Sequence, residues 1–412
     1  MNTIEAAGLD CTGCRSCEQS CALHAITMVE DREGFLYPKI DRELCVLCGQ
    51  CLKKCPVEGA ARPGSSPLEL YALQSADTEA LVRSASGGVS DLAAGAILER
   101  KGLVYGAAYV AEGPRDTSPS PAGEVSAGSR LFVRHIEVTD SDGRQRIQSS
   151  KYVQSDPGDT YRKAKQRLDS GQIVLFTGTP CQIAGLYAFL GQDHPLLYTM
   201  DLICHGVPSP GLFREYLSYL EQRMGEPVRS VNFRSKDGHG WGTQYLLKLT
   251  SKTRTVRCPL PLDPYGNRFM SGDCYRESCY RCQFAGIRRQ GDLTIGDFWG
   301  VWKGHPDLDS PLGLSSVLVN TPKGQELFAW IREHAGVVRQ ISLKDALAGQ
   351  GNLSRPTSRP AARDSVYWGL AQEGYIESLG VGFQPASRLK ALMPRSISVL
   401  LKRSLKKGGE QV

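Results

Sequence analysis

The chain has 412 residues, 41% of them hydrophobic and 22% charged, which excludes an intrinsically disordered or fibrous protein and leaves room for two or three domains. No run approaches the ~18 consecutive apolar residues of a membrane-spanning helix. Of the net charge of +6, Arg388, Lys390, Arg395, Lys402, Arg403, Lys406 and Lys407 supply +7 with no acid among residues 388–407; the rest stands at −1 and offers no basic surface for nucleic acid.

Met1 to Asp10 carries Glu5 and Asp10, no Lys or Arg and no apolar stretch, so no secretory signal is expected there. The 14 cysteines are then expected in a reducing, cytoplasmic compartment, where such density points to metal or redox chemistry. Cys11, Cys14, Cys17 and Cys21 form C-x2-C-x2-C-x3-C, and Cys45, Cys48, Cys51 and Cys55 repeat it, followed by Pro56. This is the spacing of a two-cluster bacterial ferredoxin. Thiolates at i, i+3 and i+6 reach three iron corners of a cubane and leave the fourth to the other run. Cys11, Cys14, Cys17 and Cys55 are thus expected to hold one 4Fe–4S cluster, and Cys45, Cys48, Cys51 and Cys21 the other. Ala22 stands where proline would follow the first run. Structural zinc, the non-redox alternative, usually takes paired C-x2-C elements well apart in sequence, which two complete runs fit poorly. Two clusters in so small a module form an electron relay.

Pro56 to Pro67 reads as a linker. The expected organisation is a ferredoxin-type α+β module over 1–62, an α/β domain over 68–340 with a mixed, largely parallel sheet and flanking helices, and a helical region over 341–412 with a basic tail. Leu68–Ser75 alternates like a strand, Gly88–Lys101 has helical spacing, and Leu103–Val110 and Arg130–Thr139 read as strands on either side of a Pro/Ser/Gly-rich excursion over 111–128. Asp140 to Gly143 reads as a hairpin turn. Helices over Thr160–Ser170, Gln182–Leu190 and Leu212–Met224 alternate with strands over Ile173–Phe176 and Leu196–Ile203, the signature of a parallel sheet whose ligands gather beyond its carboxyl ends. Strands follow over Val231–Arg234 and Tyr245–Thr250. Residues 258–300 read as loop, and the last hundred as mostly helical.

Cys279-Tyr-Arg-Cys282 is a further ligand pair needing two more thiolates. Cys181 and Cys204 follow the ends of successive strands, so the expected third cluster takes Cys181, Cys204, Cys279 and Cys282, with Cys274 as the alternative ligand; Cys258 has no assignment.

Six segments resemble a known family: Ser84 to Gly88, Ser150 to Ser155, Phe176 to Gln182, Asp201 to Pro210, Ser278 to Phe284 and Asp292 to Gly300. They are similar, in order and combination, to the coenzyme F-420 hydrogenase/dehydrogenase beta-subunit family, in the bacterial form with a fused two-cluster ferredoxin domain. The resemblance implies FAD, iron–sulfur clusters and an electron-transfer or reductase role; relatives in plants and cyanobacteria reduce chlorophyll-type substrates with ferredoxin. It implies neither a particular substrate nor use of the deazaflavin.

Ser86 before a helix is expected to cap it, with Gly87 and Gly88 letting backbone approach a pyrophosphate at the positive helix end. Lys151 is expected to place positive charge beside the flavin or its substrate, and Thr177 and Gly178 to pack against its ring; Tyr152, Gln154 and Thr179 complete the cofactor-binding candidates. His205 and Lys151 are the catalytic candidates, His205 as proton donor or as hydrogen-bond partner of a cluster. Asp297 is read as a turn residue or flavin orienter, and Trp241 as a cover. No G-x-G-x-x-G supports a dinucleotide fold of the NAD type. The expected function is an FAD- and iron–sulfur-dependent oxidoreductase passing electrons from reduced ferredoxin, or another low-potential donor, to a small-molecule or cofactor substrate. The alternative is an electron-transfer subunit of a larger hydrogenase or dehydrogenase complex, with the basic tail as a contact for a membrane surface or partner protein.

Overall fold

The computed structural model describes residues 3–59, 62–112, 130–238, 240–242 and 245–372. The basic tail, most of the 111–128 excursion and His239 lie outside the described residues.

The two cysteine runs fold alike. Each passes through a left-handed residue before its second cysteine (Gly13, φ 67°; Leu47, φ 53°) and another just after it (Arg15, φ 63°; Gly49, φ 72°), then enters a short helix, Ser16–Ser20 or Gln50–Lys53. Alternating left- and right-handed residues turn successive N–H groups inward, a concavity suited to anions. Between the runs lies an antiparallel hairpin of β1 (Ile26–Glu30) and β2 (Leu36–Ile40).

The body is built on one eight-stranded sheet. In chain order its strands are β3 (Glu69–Ser75), β4 (Leu103–Glu112), β5 (Arg130–Val138), β6 (Val174–Gly178), β7 (Leu197–Leu202), then β11 (Leu293–Asp297), β12 (Ser315–Val319) and β13 (Ala335–Gln340). A separate three-stranded antiparallel sheet holds β8 (Ser230–Ser235), β9 (Leu246–Thr250) and β10 (Thr255–Pro259). The large sheet runs β13-β3-β12-β11-β7-β6-β4-β5. Pairing is parallel among β4, β6, β7 and β11 and antiparallel on both flanks. The sheet is therefore mixed: its parallel pairing is confined to the centre. Even so, β3, β4, β6, β7 and β11 all point the same way, so five carboxyl ends share one edge. Helices Val89–Glu99 and Pro322–Arg332 cover one face with an aliphatic core of Leu92, Ile97, Leu293, Val317 and Leu327. Thr160–Asp169 and Pro180–Leu190 pack on β6 through Tyr161, Leu168, Phe176 and Leu186.

Over its described part, up to residue 372, the C-terminal region is less helical than expected, since β12 and β13 join the sheet; β12 is only five residues long and buried throughout, so no alternation marks it. Asp140 does not open a hairpin: its side chain accepts from Gly143 N and caps a helix over Ser141–Arg146. The second half of the expected linker is pinned, because Ser65 and Arg289 exchange backbone hydrogen bonds of 2.8 Å.

Two motif carboxylates hold the sheet centre. Asp201 at the end of β7 accepts from Gln290 N (3.0 Å), Gly291 N (3.1 Å), Thr294 Oγ1 (2.5 Å) and the buried Arg289 (3.2 Å). Asp292 accepts from Thr199 N (2.9 Å), Thr199 Oγ1 (2.8 Å) and Thr321 Oγ1 (2.6 Å). Asp201→Ala strands a buried guanidinium and two N–H groups, so it is expected to cost about 3–5 kcal/mol, read as a lower urea midpoint at unchanged slope.

Candidate functional site

The N-terminal module docks on the body at several points. Arg15 grips Asp156 through Nε and Nη2, and Arg162 donates to the Gln19 carbonyl at 2.8 Å. Gly34 and Gly211 meet so closely that a Cβ on Gly34 would stand 2.5 Å from the Gly211 Cα. Helix Ser16–Ser20 lies along helix Pro180–Leu190. At the crossing Gly185 faces Cys14: a Cβ there would lie 2.9 Å from Cys14 Cβ and 3.0 Å from its Sγ.

Cys11, Cys14, Cys17 and Cys55 are buried and lie in one another's field. Burial pushes the Cys14 thiol up to about 12, and the neighbouring Cys55 and Cys11 push it further in the same direction. Gly13 N–H points at Cys11 Sγ at 3.4 Å, and Val57 N–H at Cys55 Sγ at 3.4 Å. Cys45 and Cys51 are half-buried and Cys48 exposed, with Val46 and Leu47 standing exposed around them. The Cys11 group is thus the inner set and the Cys48 group the outer.

The second set of cysteines assembles at the carboxyl edge of the sheet. Cys181 opens the helix after β6, Cys204 follows β7, and Cys279 and Cys282 come from the loop before β11. Burial raises the Cys181 thiol first, then Cys282 and Cys204; burial likewise raises Cys204, then Cys279 and Cys282. Cys279 is pushed up to about 12 by burial and by Cys181. Cys14 also raises Cys181, which puts the inner set and the second set within electrostatic range. Cys274 is elsewhere: it is fully buried in an aromatic core with Tyr265, Tyr275 and Tyr367, its carbonyl accepting from Tyr367 Oη at 2.6 Å. Cys258 lies on β10 against the Pro259 carbonyl. Thiols held this far above neutrality stay protonated in the polypeptide alone; a bound metal deprotonates them outright. Groups of four thiols are the donor set that holds a thiolate-ligated iron–sulfur cluster. Among the described residues no three or more His, Cys, Asp or Glu side chains are gathered closely enough for a single metal ion.

Beside these thiols opens a cavity of about 410 Å³, within the range of small-molecule sites. Ser86, Gly88, Lys151, Tyr152, Gln154, Thr177, Gly178, Thr179, Cys181, Cys204 and His205 all line it. Gly87 does not. Its Cα packs on β3, where a Cβ would stand 2.2 Å from the Leu73 carbonyl oxygen, and its N–H donates to Ser315 Oγ at 2.9 Å. Ser86 does not cap the following helix; Gly88 occupies the N-cap at φ 81°, and Ser86 Oγ donates to the Leu314 carbonyl at 2.8 Å. Gln154 reaches past the cavity to the module junction, where its amide nitrogen donates to the Thr12 carbonyl at 2.9 Å.

Lys151 is a half-buried cation on the cavity wall. Its Nζ donates to the carbonyls of Gln148 (2.5 Å), Arg146 (3.1 Å) and Ser149 (3.3 Å), with no carboxylate partner among the described residues, and burial brings it down to about 7. Helix Pro180–Leu190 points its N-terminus the same way, held by a capping box between Thr179 and Gln182 with Pro180 at the first turn. Thr179 Oγ1 lies 3.1 Å from Cys181 Sγ.

The sequence left two contributors unread. His135 on β5 stacks on Phe176 and is held between Ser155 Oγ (2.6 Å at Nδ1) and the Thr177 carbonyl (2.9 Å at Nε2); burial lowers it to about 4, so it is neutral, with Nε2 carrying the proton. Arg234 on β8 pairs with Asp297 at 2.7 and 2.9 Å and spans the space between Tyr152 Oη and the Ala85 carbonyl. Only the long-range placement of β5 and β8 could have exposed these two. Trp241 donates to Asp297 at 2.7 Å and stacks on Trp299, ring centroids 4.9 Å apart. Asp297 is therefore the paired wall of the cavity, kept ionised by Arg234 against its own burial. His205 stands at the mouth, with burial lowering its affinity for a proton, Asp297 raising it and Arg234 lowering it.

Two ferredoxin-like loops packed on a cavity-bearing α/β body define an iron–sulfur protein of the oxidoreductase type. Two family models match this chain: the C terminus of the coenzyme F420 hydrogenase/dehydrogenase beta subunit, over residues 171–342, and the 4Fe-4S dicluster domain, over residues 10–59. The two matched stretches stand in the order of a beta subunit with a fused N-terminal dicluster domain, which is what this chain is similar to. A chain in the solved F420-reducing nickel–iron hydrogenase complex from Methanosarcina barkeri is 17% identical, with 77% of this chain and 91% of that one covered at a TM-score of 0.43. No curated protein matches. Among the described residues no helix is long and apolar enough to cross a membrane.

Proposed function

We propose that the chain is an FAD- and iron–sulfur-dependent oxidoreductase that takes electrons from reduced ferredoxin, or a similar low-potential donor, and delivers them to an organic substrate. The observation that carries this reading is the meeting of Cys181 and Cys204 with Lys151 and Thr177–Thr179 on the wall of one cavity. Electrons enter at the outer cluster of Cys45, Cys48, Cys51 and Cys21, whose rim is exposed. They continue to the inner cluster of Cys11, Cys14, Cys17 and Cys55, and across the Gly185 crossing to the third, held by Cys181, Cys204, Cys279 and Cys282. The module would end near residue 62 and the catalytic domain run over 68–340.

The cavity residues fit a flavin. FAD, when bound, supplies the change between single electrons and hydride. Lys151 is a half-buried cation that donates to neutral carbonyls and has no carboxylate partner among the described residues, which leaves its charge for an anionic group of the cofactor. The N-terminus of helix Pro180–Leu190 adds partial positive charge on the same side. His135, locked neutral, fixes the Thr177 carbonyl, and the Arg234–Asp297 pair holds Tyr152 and Trp299 as walls. His205 is positioned to hold or give a proton at the mouth.

Anaerobic purification should yield FAD and about twelve irons per chain, four for each cubane. Protein that carries the iron but binds no flavin after anaerobic reconstitution would overturn the FAD reading. Lys151→Met should weaken flavin binding by about tenfold, the ~1.4 kcal/mol scale of one charge-assisted contact. The pH dependence has a definite sign. In the empty cavity the Lys151 charge is complete below about 7 and lost above it; flavin affinity should therefore fall as pH rises from 7, and Lys151→Met should flatten that profile. The same group disfavours the flavin-free fold while charged, so its penalty fades as pH rises from about 7 towards its unfolded value near 10.4.

The electron-transfer subunit without a substrate of its own is favoured by one feature, the exposed apolar Leu44, Val46 and Leu47 around the outer cysteines. Removal of residues 388–412 separates the two. An autonomous reductase keeps its rate with dye and substrate, whereas a docking subunit loses its partner.

A further inference from the structure

Four arginines of the described body are almost completely buried: Arg234, Arg276, Arg289 and Arg363. Three are ion-paired, Arg234 with Asp297, Arg289 with Asp201 and Arg363 with Glu33. Arg276, 0% exposed, has no carboxylate partner among the described residues. Its guanidinium donates only to neutral oxygens: the Cys11 carbonyl at 2.6 Å, the Leu36 carbonyl at 3.0 Å and Gln154 Oε1 at 3.3 Å. The Tyr37 ring closes the site 4.0 Å from the guanidinium carbon. An arginine cannot shed its proton to escape burial, and an uncompensated buried cation is costly. The described residues supply no anion here. The neighbouring groups that become anionic on loading with iron are the thiolates: Cys11, whose carbonyl Arg276 holds, and Cys279, three residues along the chain, on which the Arg276 charge already acts.

We propose that Arg276 is the shared counter-charge of the inner N-terminal cluster and the third cluster, and that it sets their reduction potentials together while it ties the module to the body. The inference rests on the cluster assignment given above. A cubane held by four thiolates is net negative, and each electron it accepts adds to that charge, so a fixed buried cation favours the reduced form. Placed between two such centres, the same cation raises both potentials, and an electron crossing from one to the other stays beside its counter-charge. Arg276 does not line the cavity; it is a positioning residue for electrons.

The test compares the anaerobically purified full chain with its Arg276→Gln variant, which keeps an amide donor and loses the charge. Iron and sulfide are assayed first, then potentials by redox titration followed by electron paramagnetic resonance. With iron content intact, the inner and third clusters should both become harder to reduce, with the reduced-to-oxidised ratio at fixed potential down about tenfold, ~59 mV for a one-electron centre. The outer cluster should move much less. Unchanged potentials in iron-replete Arg276→Gln overturn the proposal, and so does a shift of one cluster alone. Wild-type protein without iron would instead overturn the cluster assignment, and so the two failures are distinct. Should Arg276→Gln not accumulate with iron, Arg276→Lys decides. It keeps the charge and discards the fork, so unaltered potentials support the counter-charge and lowered ones overturn it.

Discussion

Cys181→Ala protein is expected to lose the third cluster and with it the electrical connection between module and cavity, while both N-terminal clusters persist. Cys181 is one of four thiols drawn together from three separated segments, the others being Cys204 in the turn after β7 and the Cys279 and Cys282 pair of one C-x2-C loop. Three thiolates leave one iron corner to solvent or loss, whereas the N-terminal loops keep all eight of their own ligands. Iron should fall by about a third from the twelve expected for three cubanes. Reduced donor should still bleach the N-terminal clusters in stopped flow, and flavin reduction in the same trace should vanish. Full-rate flavin reduction in this variant would mean that the electrons take another route. Cys274→Ala is the companion measurement. Cys274 is sealed in the aromatic core beneath Tyr367, so that variant should keep its iron and lose only the packing of a small buried side chain.

The second large effect is expected from a single methyl group. Gly185→Ala places a Cβ 2.9 Å from Cys14 Cβ and 3.0 Å from Cys14 Sγ. Neither atom can yield, because one is fixed to the backbone of a left-handed loop and the other is a ligand candidate of the inner cluster. The helix must therefore back away from the module. Overpacking of this kind typically costs about 1–3 kcal/mol. The helix that retreats carries Cys181 one turn earlier, so the gap opens between the inner and third clusters. Donor-driven flavin reduction should slow with total iron unchanged, or the inner cluster should be lost altogether; electron paramagnetic resonance on the frozen, donor-reduced protein separates these. Wild-type iron and wild-type rate would show that the crossing at Gly185 plays no part in the relay.

Much of the site was legible because its determinants are local. Two loops of C-x2-C-x2-C-x3-C can be read without knowing where they dock, since a short loop fixes its own turns: the left-handed residues at Gly13 and Arg15 recur at Leu47 and Gly49. The gathering of Cys181 with Cys204 was also accessible, because parallel strands place their carboxyl ends side by side and β6 and β7 are neighbours. The same logic failed where two local features looked equivalent. Ser86, Gly87 and Gly88 each suit the start of a helix, and nothing local says that Gly88 takes the cap, that Gly87 is pressed onto the Leu73 carbonyl, or that Ser86 bonds to Leu314. Cys274 and Cys279 lie five residues apart, and only the surrounding tyrosines decide that one faces the core and the other the cavity edge.

What the sequence alone determined was the inventory and the local geometry: a two-cluster module, an α/β body, two further thiols after strand ends and a C-x2-C pair in a loop. Tertiary structure alone decided how these connect. It set which cluster is inner, through the Gly185 contact with Cys14. It made His135 neutral and Asp297 charged, through burial and through Arg234 on another sheet. Among the described residues it left Arg276 without a carboxylate while holding it against the Cys11 and Leu36 carbonyls, 265 and 240 residues away along the chain. The physical reason is the same throughout. Coordination spacing and backbone turns are set within a few bonds, whereas desolvation and charge pairing depend on whatever the fold brings within a few ångströms.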